Sequence, residues 1–451
     1  MPDSTLNPIN AAAWPKPPQN ARRIHATLPG HTRTPLRTLP DLASVLGVAQ
    51  LLVKDESARF GLQAYKGLGG SWAATRMLAR ELGVEVASLE SWDDVLALAR
   101  RAGPRRLVSA TDGNHGRGVA WAASLLGFDC TIYMPRGSAS TRIEAIRALG
   151  ATVIEAVGGY GAAVDAAMRD AEADGRSWLL QDTTNPGHED APRWCAEGYE
   201  TLFCEIDKQL DALGEPAPDL AFVQIGVGTL ADAMVRHLRA CDRWRNTRIV
   251  GVEPTAAACV LESVRAGRPF QVGAGEAHAT IMAGLNCHEP SRAAWDAMSK
   301  GIDCFLAVED EWAERAMRLL AECAVESGES GAAGLAGLLA LLESPELDAP
   351  RRALGVGPAT RAIVLTTEGA TDPVGYERTV GFPAAELPNA ARRLAVYGTL
   401  APGKANAGVL NGIQPASWTS GVVEGDLHPE GWGAASGFPA IVPRRGDPRV
   451  P

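Results

Sequence analysis

The 451-residue chain reads as an α/β protein of two layered domains with mostly parallel sheets, followed by a small β-rich C-terminal unit. Three observations lead there. Apolar runs bounded by Gly and Pro alternate with helical stretches, which is the pattern of βαβ units. Three strand-to-helix turns carry glycines. Beyond about residue 380 the pattern changes to short alternating strands with glycine turns.

Taken in order, Phe60-Gly61-Leu62-Gln63-Ala64-Tyr65-Lys66-Gly67-Leu68-Gly69-Gly70 joins a strand rich in Val and Leu to a helix. The apolar strand from Leu107 runs into Thr111-Asp112-Gly113-Asn114-His115-Gly116-Arg117-Gly118 and then a helix over residues 119–126. A strand at residues 129–135, a helix at 138–149 and a strand at 151–155 follow. Residues 211–219, rich in Pro and acid, read as a loop. Leu220-Ala221-Phe222-Val223-Gln224-Ile225 is a strand that ends in Gly226-Val227-Gly228-Thr229-Leu230, where a helix begins. Residues 267–279 read as a loop, either passive or able to move over the strand ends. Strands at 248–252 and 362–366 complete the sheet. Residues 1–84 with 191–380 form the large domain in this reading, and residues 85–190 the small one.

A net charge of -10 without a Lys/Arg stripe excludes nucleic acid and anionic membrane as partners. The 8 cysteines are scattered singly, the arrangement of reduced thiols in a cytoplasm. Cys287-His288-Glu289 are adjacent loop residues that do not converge on one ion, so no metal is expected. The N-terminal stretch has no apolar core, so a soluble cytoplasmic protein acting on a small molecule is expected.

The chemistry concentrates at the turns. A lysine in a partly apolar cleft becomes a usable amine nucleophile, since burial disfavours ammonium; alone, Lys66 is equally a surface charge. Glycines at 113, 116 and 118 let backbone approach a ligand, and a helix start offers N–H donors to an anion. Gly226-Val227-Gly228-Thr229 is a phosphate cradle by type, or an ordinary turn. Read from the residues alone, Asp112 suits a helix N-cap and Asp182 a turn former.

Together these residues resemble the pyridoxal-phosphate enzymes of fold type II, the tryptophan-synthase β-subunit-like family. Lys54-Asp55-Glu56-Ser57-Ala58-Arg59-Phe60-Gly61-Leu62, the Thr111 to Gly118 turn, Thr280-Ile281-Met282-Ala283-Gly284-Leu285, Ser327-Gly328-Glu329-Ser330-Gly331 and Thr367-Glu368-Gly369-Ala370-Thr371-Asp372 narrow the likeness to the diaminopropionate ammonia-lyase family. The resemblance covers roughly the first 380 residues. It implies pyridoxal 5'-phosphate in the interdomain cleft, a homodimer, and α,β-elimination of 2,3-diaminopropionate to pyruvate and ammonia through an aminoacrylate. A serine or threonine dehydratase, a β-replacing enzyme, or a protein that keeps the cofactor without turnover are the alternatives.

Residue by residue, the resemblance implies that Lys66 forms the Schiff base and takes the Cα proton of the L isomer, Asp112 that of the D isomer, and that Asp182 protonates the departing β-amine. Gly226, Val227, Gly228, Thr229 and Leu230 hold the phosphate, with the Thr229 hydroxyl contributing. Asn114 meets the phenolic oxygen. Thr367, or its neighbour Thr366, meets the pyridine nitrogen. Thr111, Gly113 and His115 bind substrate, although His115 also reads as a packed residue; Glu329 is a pocket residue or a helix cap. Thr184-Asn185-Pro186-Gly187-His188-Glu189-Asp190 departs from the family, as does Tyr65 in place of Phe.

At the C terminus, Tyr397-Gly398-Thr399-Leu400 and Gly437-Phe438-Pro439-Ala440-Ile441 resemble the γ-glutamylcyclotransferase-like family. Residues 388–451 would be a partial, truncated unit of that kind. The family's catalytic glutamate falls later than the chain reaches, so no catalytic residue is assigned there and an inactive remnant is expected.

Overall fold

A computed structural model describes residues 1–7, 14–15, 19–111, 113–184, 187–273, 280–387, 425–428 and 440–443. The chain forms two compact units, residues 1–372 and 373–451. In the first, β1 (Asp3–Leu6), β2 (Leu36–Thr38), β3 (Gln50–Asp55), β4 (Arg106–Ala110), β5 (Asp129–Pro135), β6 (Thr152–Ala156), β7 (Ser177–Leu179), β8 (Leu220–Gln224), β9 (Arg248–Pro254), β10 (Cys304–Val308) and β11 (Arg361–Thr366) make two sheets.

The larger sheet has the order β1-β10-β9-β8-β11-β3-β2 and the smaller β6-β5-β4-β7. The smaller is parallel throughout, and only the edge strands β1 and β2 of the larger run antiparallel. Interior position follows from sequence: β10, and β8 up to its closing Gln224, are continuous apolar runs, and both strands are buried at every residue, as strands covered on both faces must be. The second unit contains the helix Pro373–Val380 and an antiparallel pair, β12 (Gly425–His428) with β13 (Ala440–Pro443). The Tyr397 to Leu400 run and residues 437–439 lie outside the described residues.

Three helices set the position of Lys66, and small residues let them touch. The helix Lys66–Glu81 packs on Asn114–Leu126 and on Asp190–Leu213. A Cβ on Gly118 would lie 2.7 Å from the Lys66 carbonyl carbon, one on Gly70 2.7 Å from the Gly118 oxygen, and one on Gly198 2.4 Å from the Leu68 oxygen. Backbone, not side chain, fills these contacts. Gly118→Ala is therefore expected to cost about 1–3 kcal/mol through overpacking, read as a lower urea midpoint with unchanged slope.

Two local boundaries differ from the sequence reading. The helix placed at 119 begins at Asn114, because the Thr111 hydroxyl accepts the N–H groups of Gly113 (2.9 Å) and Gly116 (3.1 Å) and so starts it early. The loop read at 211–219 starts only after Leu213, where Gly214 in the left-handed region ends the long helix.

Candidate active site

The carboxyl ends of β4, β8 and β11, with the segments that follow β3 and β7, converge on one cavity, where ligands bind in open parallel sheets. Lys66, Thr111, Gly113, Asn114, His115, Asp182, Gly226, Val227, Gly228, Thr229, Leu230 and Thr367 all line it. Asp112 lies outside the described residues. Tyr65, Arg142, Tyr160, Gln224 and Glu368 line it as well.

At the centre, Lys66 Nζ donates to Asp182 Oδ2 at 2.7 Å, with side chains 19% and 9% exposed. The Tyr65 and Tyr199 rings flank the ammonium at 5.3 and 5.8 Å. The sequence argument that burial lowers the lysine pKa is reversed here. Burial does act that way, but Asp182 and the two tyrosines outweigh it and hold Lys66 well above its ordinary value. Burial likewise favours a neutral Asp182, yet His115 and Lys66 bring its carboxyl down to about 2. His115 sits with Nε2 3.0 Å from the Leu180 carbonyl, which only a protonated Nε2 can satisfy, and with Nδ1 3.5 Å from Asp182 Oδ2. Burial lowers its pKa, so the ring is neutral and Nδ1 is free to take a proton.

Asp182 is held from both sides. Gln181 copies a strand partner, accepting from Ala110 N and donating to Ala110 O at 3.0 Å each. Thr229 Oγ1 donates to the Asp182 carbonyl at 2.6 Å. The Thr229 hydroxyl, which the sequence reading gives to a phosphate, also meets the chain at this carbonyl. In the divergent segment, Thr184 Oγ1 is bonded to Ser291 Oγ (2.8 Å) and Ala293 N (3.0 Å). Residues 185 and 186 lie outside the described residues.

The glycine turn after β8 holds Gly228 at φ 101°, where a Cβ would collide with Met298 Sδ at 2.3 Å. The helix Thr229–Ala240 opens directly behind it, and its first N–H groups have no intrahelical acceptors. An anion is favoured there by those donors and by the helix dipole.

Glu368 is the residue that sequence reasoning missed. Its carboxylate accepts from Asn114 Nδ2, from Ser330 N at 3.0 Å and from Thr371 Oγ1 at 3.3 Å, so it ties the start of the Asn114 helix to two turns of the larger sheet. The only local signal was its place after Thr367. Glu329 is buried, and burial with the Glu368 charge pushes its carboxyl up to about 7.

The two candidate threonines at the end of β11 are distinguished by position. Thr366 is fully buried, whereas Thr367 lines the cavity. Gln224 Nε2 lies 2.9 Å from Gly331 O, 3.0 Å from Leu365 O and 3.1 Å from Thr367 Oγ1. An amide nitrogen cannot accept, so the Thr367 hydroxyl hydrogen is left available to an acceptor elsewhere.

Comparison with known proteins gives a consistent picture. Residues 27–356 match the family described as pyridoxal-phosphate dependent enzyme. The chain is 37% identical over 366 residues to the diaminopropionate ammonia-lyase of Escherichia coli (strain K12), covering 80% of this chain and 90% of that one. To the Salmonella typhimurium (strain LT2) protein of the same name it is 37% identical over 367 residues, with 79% and 90% covered. Among solved structures it resembles the Escherichia coli ammonia-lyase in complex with an aminoacrylate-PLP azomethine reaction intermediate, at TM-score 0.75 and 34% identity over 84% of this chain and 97% of that one. The same enzyme in complex with D-serine superimposes at TM-score 0.76.

Proposed function

The chain belongs to the pyridoxal-phosphate dependent enzyme family, and from that premise we propose that it is an ammonia-lyase that converts 2,3-diaminopropionate, with water, to pyruvate and two ammonia. The observation that carries this reading is the Lys66–Asp182 pair, an amine and a carboxylate 2.7 Å apart in a cavity bounded by a glycine turn and a helix start. The likeness to the diaminopropionate ammonia-lyases over most of both chains supports the substrate.

The donor set fits pyridoxal phosphate. Lys66 would hold the aldehyde carbon, the N–H groups of Gly226 to Leu230 the phosphate, Asn114 the phenolic oxygen and Thr367 the pyridine nitrogen. When bound, the cofactor supplies a carbonyl that condenses with amines and a conjugated ring that takes up the electron pair left at Cα. A Thr367 hydroxyl that donates suits an unprotonated ring nitrogen, since Gln224 already offers hydrogen to Thr367 Oγ1.

The chain's own residues move the protons. Lys66 must lose one to act as nucleophile, and Asp182 is the acceptor already in contact. Once Lys66 nitrogen is neutral, a main cause of the low Asp182 pKa is gone and burial favours the protonated acid. Asp182 then carries the proton that the β-amine needs in order to leave. Free Lys66 takes the Cα proton of the L isomer, and Asp112 is assigned the opposite face for the D isomer. A homodimer in the cytoplasm belongs to the same reading. Among the described residues no helix is long and apolar enough to cross a membrane.

The test is an end-point assay of cofactor-loaded protein with each isomer of 2,3-diaminopropionate and with L-serine. Two ammonia per pyruvate from diaminopropionate, with little turnover of serine, is expected. Pyruvate from serine alone would move the reading to a dehydratase, and inactivity with bound cofactor to a binding protein.

A further inference from the structure

Away from the cavity, the helices Asp190–Leu213 and Thr229–Ala240 enclose a second cluster with the chemistry of a metal site. Glu200 and Cys204 stand one turn apart on one face of the first helix, and His237 faces them from the second. One ligand atom from each lies within 4.8 Å of the other two. All three are buried, at 4%, 3% and 6% exposure. A tetrahedral ion with bonds of about 2.0–2.3 Å places its donors about 3.3–3.8 Å apart, within that spacing.

A second observation points the same way. His237 Nε2 is 2.8 Å from Asp207 Oδ2, and Asp207 Oδ1 in turn accepts from Trp244 Nε1 at 2.7 Å. The carboxylate thus fixes the ring with Nδ1 directed at Glu200, which is the arrangement that orients and strengthens metal-bound histidines. Trp244 is 1% exposed, so this outer support is itself packed. The Phe203 ring, 5.8 Å from the imidazole, covers its face. Two carboxylates flank the one imidazole, Glu200 buried on its Nδ1 side and Asp207, 24% exposed, on its Nε2 side, so the Nδ1 side is where positive charge is favoured in a dry setting. The Arg243 guanidinium nearby reaches the Asp207 main-chain oxygen and Asp211, not the cluster's carboxylates.

We propose that Glu200, Cys204 and His237 bind one divalent ion of the zinc class, with the second Glu200 oxygen as fourth donor and Asp207 as outer partner of the histidine. Mixed N, O and S donors suit zinc or cobalt(II) better than magnesium or calcium. Binding displaces the thiol proton of Cys204 and any proton on Nδ1 to solvent, and leaves Nε2–H on Asp207. The ion would staple the helix that carries Tyr199 beside Lys66 to the helix that opens at the glycine turn. Its role is structural, and it lies outside the elimination chemistry.

Sequence reading misses this site because its ligands come from two helices and no short spacing announces it. The experiment is metal analysis of the purified, cofactor-loaded enzyme after chelation and reloading with zinc or cobalt(II). The expected result is one ion per chain, cobalt d–d absorption of a tetrahedral thiolate site, and a thermal midpoint raised by the ion. Cys204→Ser should lose the thiolate spectrum and Glu200→Gln should weaken binding at least tenfold, with both variants folded by circular dichroism. Substoichiometric metal in the wild type would overturn the proposal and leave an imidazolium clasped by two carboxylates. An undiminished cobalt spectrum in Cys204→Ser would overturn it equally.

Discussion

Replacing Lys66 with alanine is expected to lower turnover by more than about ten-thousand-fold, the upper range for loss of a general base, because the covalent amine is lost with it. The same change should alter stability in a way that depends on pH. In the cofactor-free protein, Asp182 is held at about 2, below its ordinary value. Its contribution to stability is fully present above about pH 4, the usual aspartate range, and is lost as pH falls through the depressed value. Lys66 is held above its ordinary value. Its contribution is present below about pH 10 and is lost as pH rises through the raised value. The wild-type pair is therefore intact across the neutral range.

Lys66→Ala removes the cation and leaves Asp182, 9% exposed, with only His115 Nδ1 at 3.5 Å beside it. Breaking a buried pair from one side costs about 3–5 kcal/mol. The loss is itself pH-dependent. Without Lys66, burial is opposed chiefly by His115, so the Asp182 carboxyl moves up from its wild-type value and the stability gap between variant and wild type should narrow as pH falls from 7 to 5. Lys66→Arg separates the two effects, since the guanidinium keeps the charge but cannot form the Schiff base: turnover is lost and stability largely kept. Urea unfolding at the two pH values, alongside the product assay, checks both. A Lys66→Ala protein as stable as wild type at both pH values would contradict the ion pair.

The parallel sheets were legible because their signals are local: β8 and β11 have apolar centres, residues 220–223 and 362–365, and glycines follow β4 and β8 at the turns. Strand ends in one parallel sheet share an edge, which placed the turns after β3 and β8 together, whereas the turn after β4 belongs to the smaller sheet and meets them across the cavity. What escaped was pairing at long range. Nothing near Lys66 says that its ammonium will meet Asp182, and the sign of its pKa shift turned on that partner. Nothing near Asn114 announces Glu368, which lies 254 residues away. Hydroxyls were the other blind spot. Thr111 accepts two main-chain N–H groups at the start of a helix and Thr229 donates to the Asp182 carbonyl, contacts with the chain that no local pattern announced.

Asp182→Asn should divide two roles that the geometry leaves joined. Asparagine keeps the shape and can still accept from Lys66, but it cannot carry a proton to a leaving group. Loss of a general acid is worth about a hundredfold to ten-thousand-fold in rate, and that loss should fall on 2,3-diaminopropionate, whose β-amine leaves poorly unless protonated. A substrate such as β-chloroalanine needs no such help, because chloride departs as the anion. If Asp182 acts on the leaving group, the variant should turn over β-chloroalanine within about tenfold of wild type while diaminopropionate falls by at least the hundredfold lower bound. If Asp182 serves only to hold Lys66 and take its proton, both substrates depend on it alike and both rates should fall together. His115 bears on the outcome, since Nδ1 is 3.5 Å from Asp182 Oδ2 and unprotonated when neutral. In Asp182→Asn the charge that attracts a proton to His115 is gone, so the ring should remain neutral and unable to replace the missing acid. Measuring kcat for the two substrates at one pH in the same preparation therefore assigns the carboxylate by ratio, independent of how much active protein the variant yields.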